Sequence, residues 1–134
     1  MAKINHSSNK REPGGFAPLP YIVIRSNAFA QLSAYAVKLL NDLLAQYNGN
    51  NNGDLAVAFT LMKKRGWRSK STLWRAIKEL EEGRWIEKTR QGGRNMPNLY
   101  AVTFYAVDEC NGKMDSHIRP TTRPRGYWKS GGEN

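Results

Sequence analysis

Cysteine is all but missing from this chain. Cys110 stands alone among 134 residues, which rules out an internal disulfide and suits a reducing compartment. Histidine is nearly as scarce. His6 and His117 lie in the polar ends, and two histidines with one cysteine cannot build a zinc cage. No metal or other cofactor is expected. No apolar run approaches the ~18 residues of a membrane-spanning helix, and no apolar signal core follows Met1. A membrane partner is therefore not expected, and the expected location is the cytoplasm. Acidic side chains are also in deficit, at 11 Asp plus Glu against 21 Lys plus Arg, for a net charge of +10. That balance suits an acidic partner without choosing which kind.

The excess charge is concentrated. Residues 1–31 carry +3, residues 32–59 carry −1, residues 60–104 carry +7 and residues 105–134 carry +1. The length and the 40% of hydrophobic residues suit one domain with a small core. Residues 1–20, with Pro13, Pro18, Pro20 and Gly14-Gly15, read as a flexible arm. Residues 21–107 read as the folded domain, and 108–134 as a C-terminal tail rich in Gly, Pro and charge. The tail is expected to be mobile, although Tyr127 and Trp128 are large groups to leave exposed and argue for docking.

Within the domain, Tyr21-Ile22-Val23-Ile24 is β-branched and reads as a strand or extended segment. Ser26 is placed to cap a helical turn over Asn27–Gln31. Ser33 caps a helix whose apolar residues, from Leu32 through Ala36, Leu39, Leu40, Leu43, Leu44 and Tyr47, recur at helical spacing. Asn50-Asn51-Asn52-Gly53-Asp54 reads as a loop without chemistry. Leu55–Ala58 is ambiguous between a strand and a helix start. Thr60 is placed to cap a brief helix over Leu61–Arg65. Ser69 caps a helix to Glu82, with Leu73, Ala76, Ile77 and Leu80 on one stripe and Gly83 at its end. Trp85–Arg90 and Leu99–Tyr105 read as strands around the basic loop 91–98. Trp67, Trp85, Tyr100, Val102 and Phe104 are expected in the core.

That order, together with Gly66-Trp67-Arg68-Ser69-Lys70-Ser71-Thr72-Leu73-Trp74-Arg75-Ala76-Ile77-Lys78-Glu79-Leu80 and the continuation Gly83-Arg84-Trp85-Ile86-Glu87-Lys88, resembles winged helix-turn-helix proteins of bacteria and phages. The stretch from Tyr21 to Leu44 is similar to the N-terminal domains of plasmid and phage replication initiators. The resemblance implies an α+β fold of three helices and a β-hairpin wing. It also implies a role in replication initiation or transcriptional control of a plasmid, phage or integrated element, and binding as dimers to repeated half-sites.

The residues support a duplex footprint on their own account. With the apolar stripe buried, the third helix shows Lys70, Ser71, Trp74, Arg75 and Lys78. Arg75 can pair with guanine N7 and O6 in the major groove. Lys70, Ser71 and Thr72 lie in the first turn, where free backbone N–H groups favour phosphate. Lys63, Lys64 and Arg68 are placed to hold the neighbouring strand, and Arg90 and Arg94 to enter the minor groove. Glu79, Glu81 and Glu82 read as surface pairs. The run Gly66–Ser71 ends in Lys-Ser but lacks the second glycine of a phosphate loop, and no nucleophile has a histidine near it, so no enzyme is expected.

Two further partners are kept open: a second copy of the chain, and a protein engaging Trp74 or the C-terminal tail. The rival reading is accordingly an inhibitor or adaptor of a mobile element that docks on a host protein or nucleoprotein complex. Arg119-Pro120-Thr121-Thr122-Arg123-Pro124-Arg125-Gly126-Tyr127-Trp128-Lys129 suits DNA as well as a protein.

Overall fold

The computed structural model describes residues 10–131; residues 1–9 of the N-terminal arm and the last three residues lie outside that range. The helices are α1 (Tyr21–Ile24), α2 (Asn27–Ala30), α3 (Ala34–Leu44), α4 (Phe59–Met62), α5 (Lys70–Glu82) and α6 (Trp128–Gly131). The strands are β1 (Leu55–Ala56), β2 (Ile86–Arg90) and β3 (Leu99–Val102), forming an antiparallel sheet in the order β1-β3-β2. The fold is thus mixed α+β.

The two long helices form where capping and periodicity agree. Ser33 Oγ accepts from Ala36 N to start α3, and Ser69 Oγ accepts from Thr72 N to start α5. Each cap satisfies a backbone donor that the helix itself cannot. Leu39, Leu40 and Leu43 of α3 meet Leu73, Ala76 and Leu80 of α5 in the core. Ser26 Oγ likewise accepts from Phe29 N to start α2.

Three local expectations are corrected. Tyr21–Ile24 is a single helical turn, not a strand. Pro20 sits at φ −57° and its carbonyl accepts from both Val23 N and Ile24 N, so the turn closes locally. α4 begins at Phe59 behind Ala58, which offers no side-chain cap, in place of a helix from Leu61 capped by Thr60. Phe59 packs against the core, and the start moves back by two residues. Glu79 is not a surface ion pair: its carboxylate accepts from Ser33 N at 2.9 Å and Ser33 Oγ at 2.6 Å. A negative charge there also suits the positive end of α3.

α5 ends in a reciprocal pair of bonds, Arg84 N to Glu81 O and Trp85 N to Leu80 O, the six-to-one and five-to-two pattern of a Schellman motif. The left-handed residue is Arg84, at φ 63°, and not Gly83. Gly83 is needed for space, because a Cβ there would come within 2.9 Å of the Trp85 ring. Arg84→Gly is expected to stabilise the protein by about 1 kcal/mol by removing the left-handed penalty, read as a higher urea midpoint with an unchanged slope. An unchanged midpoint would show that Arg84 makes offsetting contacts.

β3 is buried along its whole length because both of its faces are covered. Tyr100 and Val102 join the core beneath α5. On the outer face, the chain beyond residue 107 crosses the sheet. Asp115 N donates to Thr89 O and Gly126 N to Thr103 O, while Arg125 pairs with Glu87 at 2.7 Å. Tyr127 and Trp128, whose size argued for docking, differ: Tyr127 is 40% exposed, whereas Trp128 is 5% exposed and stacks on Trp85 at 5.1 Å between ring centroids. Val107, Cys110 and Met114 gather over Gly53, where an added Cβ would meet the Met114 sulfur at 2.7 Å. Burial, with Asp54 and Asp108 adding to it against Lys113, pushes the Cys110 thiol up to about 11, so it stays protonated at neutral pH.

Candidate nucleic-acid interface

The position of α5 is set by a buried carboxylate. Asp42 on α3 is 4% exposed. It accepts from Trp67 Nε1 at 2.7 Å, Arg65 Nε at 3.1 Å and Lys38 Nζ at 3.3 Å. Lys38 also donates to Arg65 O. These bonds tie α3 to the 3-10 turn Lys63–Arg65 and to Trp67, between which Gly66 turns the chain at φ 93°. The segment entering α5 is therefore held at both ends, by Asp42 and by the Ser69 cap.

From that base α5 presents its open face. Ser71, Trp74 and Arg75 are exposed and Lys78 is half-buried. Helical phase puts Ser71, Arg75 and Lys78 along the crest and turns Trp74 toward the β2–β3 loop. Lys70 Nζ lies 5.8 Å from the Phe59 ring centroid, and Lys78 Nζ lies 5.6 Å from that of Trp74. Ser71 shares a hydrogen bond with Ser69 at 2.9 Å. Thr72 is half-buried and lines a hollow with Ser33, Tyr35, Arg75 and Glu79. Lys63, Lys64 and Arg68 are all exposed just ahead of the helix.

Trp74 is 59% exposed. It stands at the mouth of a groove of about 400 Å³ between α5 and the sheet, with Ile77, Lys78, Lys88, Pro97 and Tyr100 among its lining residues. Burial, then the nearby Glu81 carboxylate, raises the Tyr100 hydroxyl above its ordinary value against a weaker opposing bond from Asn98, leaving it a donor at neutral pH.

The two arginines near the loop part company. Arg94 is exposed in the loop. Arg90 is half-buried and its Nη2 donates to Pro97 O at 2.9 Å, so it braces the hairpin. The loop itself is built tightly: Gly93 and Met96 exchange backbone bonds, and Gly92 N donates to Asn98 Oδ1. A Cβ at Gly92 would collide with the backbone of residues 96–98.

Lys88 belongs to the same face and was missed from the sequence. It pairs across the sheet with Tyr100 and lines the groove beside Lys78. Strand alternation from Ile86, a core residue, would have placed it on the α5 side. No family model matches the chain. Nor does any curated protein or solved structure match it. Among the described residues no cluster of His, Cys, Asp and Glu could hold a metal ion, and no helix is long and apolar enough to cross a membrane.

Proposed function

We propose that this is a winged helix-turn-helix protein that binds double-stranded DNA, with α5 in the major groove and the β2–β3 loop alongside as the wing. One observation carries the reading: a capped 13-residue helix offers Ser71, Arg75 and Lys78 along its crest, with Lys70 in its first turn, beside a basic hairpin. An α-helix fits the major groove of B-form DNA, and exposed cations along it meet the phosphates on either side. The sheet order β1-β3-β2, with α4 and α5 inserted between β1 and β2, suits the winged-helix connectivity. The role that goes with it is replication initiation or transcriptional control for a plasmid, phage or integrated element, exercised on DNA in the cytoplasm.

A salt titration of duplex binding tests it. The log–log slope should be about −0.9 per phosphate contact. Arg75→Ala should weaken a preferred site by about 1–3 kcal/mol and a scrambled duplex by less. Equal losses on both would make Arg75 a phosphate contact. The exposure of Trp74 over its groove favours the second reading, docking on a host protein. No duplex binding at low salt, with a protein partner lost on Trp74→Ala, would establish that reading and end the first.

A further inference from the structure

A second cationic surface lies at the other end of α5. Trp85, directly after that helix and its cap, packs on Phe29 at 5.9 Å, Phe104 at 6.5 Å and Trp128 at 5.1 Å. The short helices α1, α2 and α6 therefore gather at the C-terminal end of α5. Lys70 is at its N-terminal end, about 20 Å away along the axis at ~1.5 Å per residue.

Exposed rings and cations alternate along the segments that lead into α1 and α6. The Arg11 guanidinium lies 4.4 Å from the Phe16 ring centroid, and that of Arg25 lies 4.1 Å from Tyr21. Arg84 and Arg125 each lie 5.9 Å from Tyr127. Phe16 is 57% and Tyr21 is 68% exposed. A groove of about 260 Å³ joins α1 to the C-terminal segment, with Ile22, Arg123, Trp128 and Lys129 in its wall. The Tyr105 hydroxyl donates to Pro18 O at 2.5 Å and holds the arm against the domain. Glu12 is the one carboxylate in residues 10–31, and residues 119–131 contain none.

We propose that this face binds single-stranded nucleic acid. Bases stack on Phe16 and Tyr21, and Arg11, Arg25, Arg123 and Lys129 meet the backbone phosphates. The chemistry selects this occupant. Unpaired bases offer π-faces to the rings, and phosphates offer charge to the cations, without sequence preference. A duplex hides its base faces, and an acidic peptide would leave the rings unused. The proposal does not depend on duplex binding by α5.

The test is fluorescence anisotropy of a labelled oligothymidine of about 12 nucleotides titrated with the full chain at low salt. Binding should weaken at least about tenfold in Phe16→Ala/Tyr21→Ala, whose changes are confined to exposed rings, while duplex affinity stays unchanged. Arg75→Ala should leave oligothymidine binding intact. The proposal is overturned if the wild type does not bind the oligomer, or if the double variant binds it as well as the wild type. It is also overturned if Arg75→Ala abolishes binding, which would move the strand to α5 and leave the duplex reading standing. Displacement by polyglutamate as efficient as by unlabelled oligomer would reduce the face to charge alone and overturn it too. So would a wild-type dimer that the double variant dissociates in the absence of oligomer binding, since the rings would then belong to a second copy.

Discussion

Asn52→Ala is expected to destabilise the protein by about 3–5 kcal/mol, lowering Tm by roughly 10–20 °C. The side chain is fully buried. Its amide nitrogen donates to the carbonyls of Val102, Tyr105 and Ala106 at 3.0, 3.1 and 3.0 Å, and its oxygen accepts from Val102 N at 2.9 Å. Alanine would leave one backbone donor and three acceptors stranded where β3 turns into the C-terminal segment. Each loss carries a desolvation penalty, and the missing amide also leaves a void. Asn52→Asp keeps the acceptor but sets a carboxylate against three carbonyls, so it should be no better. Asn50→Ala, at an exposed position of the same loop, should shift stability by less than about 0.5 kcal/mol. Urea unfolding of the three variants checks this; a loss under about 1 kcal/mol for Asn52→Ala would show that the carbonyls find other donors.

Asp42→Ala is expected to cost about 2–4 kcal/mol, because the Trp67 N–H loses its acceptor in a buried site. Arg65 and Lys38, with side chains 50% and 40% exposed, can regain water, which holds the loss below that of a fully enclosed ion pair. The effect should reach the interface, since Asp42 fixes the turn that leads into α5. Duplex affinity should fall even at temperatures where the variant is fully folded. Asp42→Asn retains an acceptor for Trp67 and should recover about half of the stability without the charge. Thermal melts paired with duplex titrations separate the two consequences. Normal duplex affinity in a folded Asp42→Ala protein would show that the Ser69 cap alone holds α5 in place.

Much of this was legible in the sequence. Ser33 and Ser69 stood in front of apolar stripes, so α3 and α5 could be placed with their caps, and the aromatic and β-branched runs gave β2 and β3. The exposed crest of α5 followed from helical phase. What local pattern could not supply was partnership between distant residues. Glu79 finds Ser33 across 46 positions and Asn52 finds Asp108 across 56, so one looked like a surface acid and the other like loop filler. Composition misled at Tyr21–Ile24, because the bonds from Val23 N and Ile24 N to Pro20 O close a helical turn there, and β-branched side chains set only a weak preference against it. Arg90 was offered to the minor groove by its place in sequence, but the register shift between Lys88 and Arg90 and the bond to Pro97 turn it inward to the hairpin.

The covering of β3 on its outer face bears on how the chain folds. Residues that complete the sheet, such as Asp115, Arg125 and Gly126, are joined to Thr89, Glu87 and Thr103 and are synthesised after the rest of the domain. Until they emerge, Ala101 and Val107 have no lid, and the Asn52 backbone lacks the bonds it exchanges with Asp108. A nascent or truncated chain ending near residue 107 would offer an apolar strand face to its neighbours, the condition that promotes aggregation. Native closure also waits on contacts of long sequence separation, so folding should be slower than the helical content suggests. A stretch made after the helices and strands of the domain thus completes the fold.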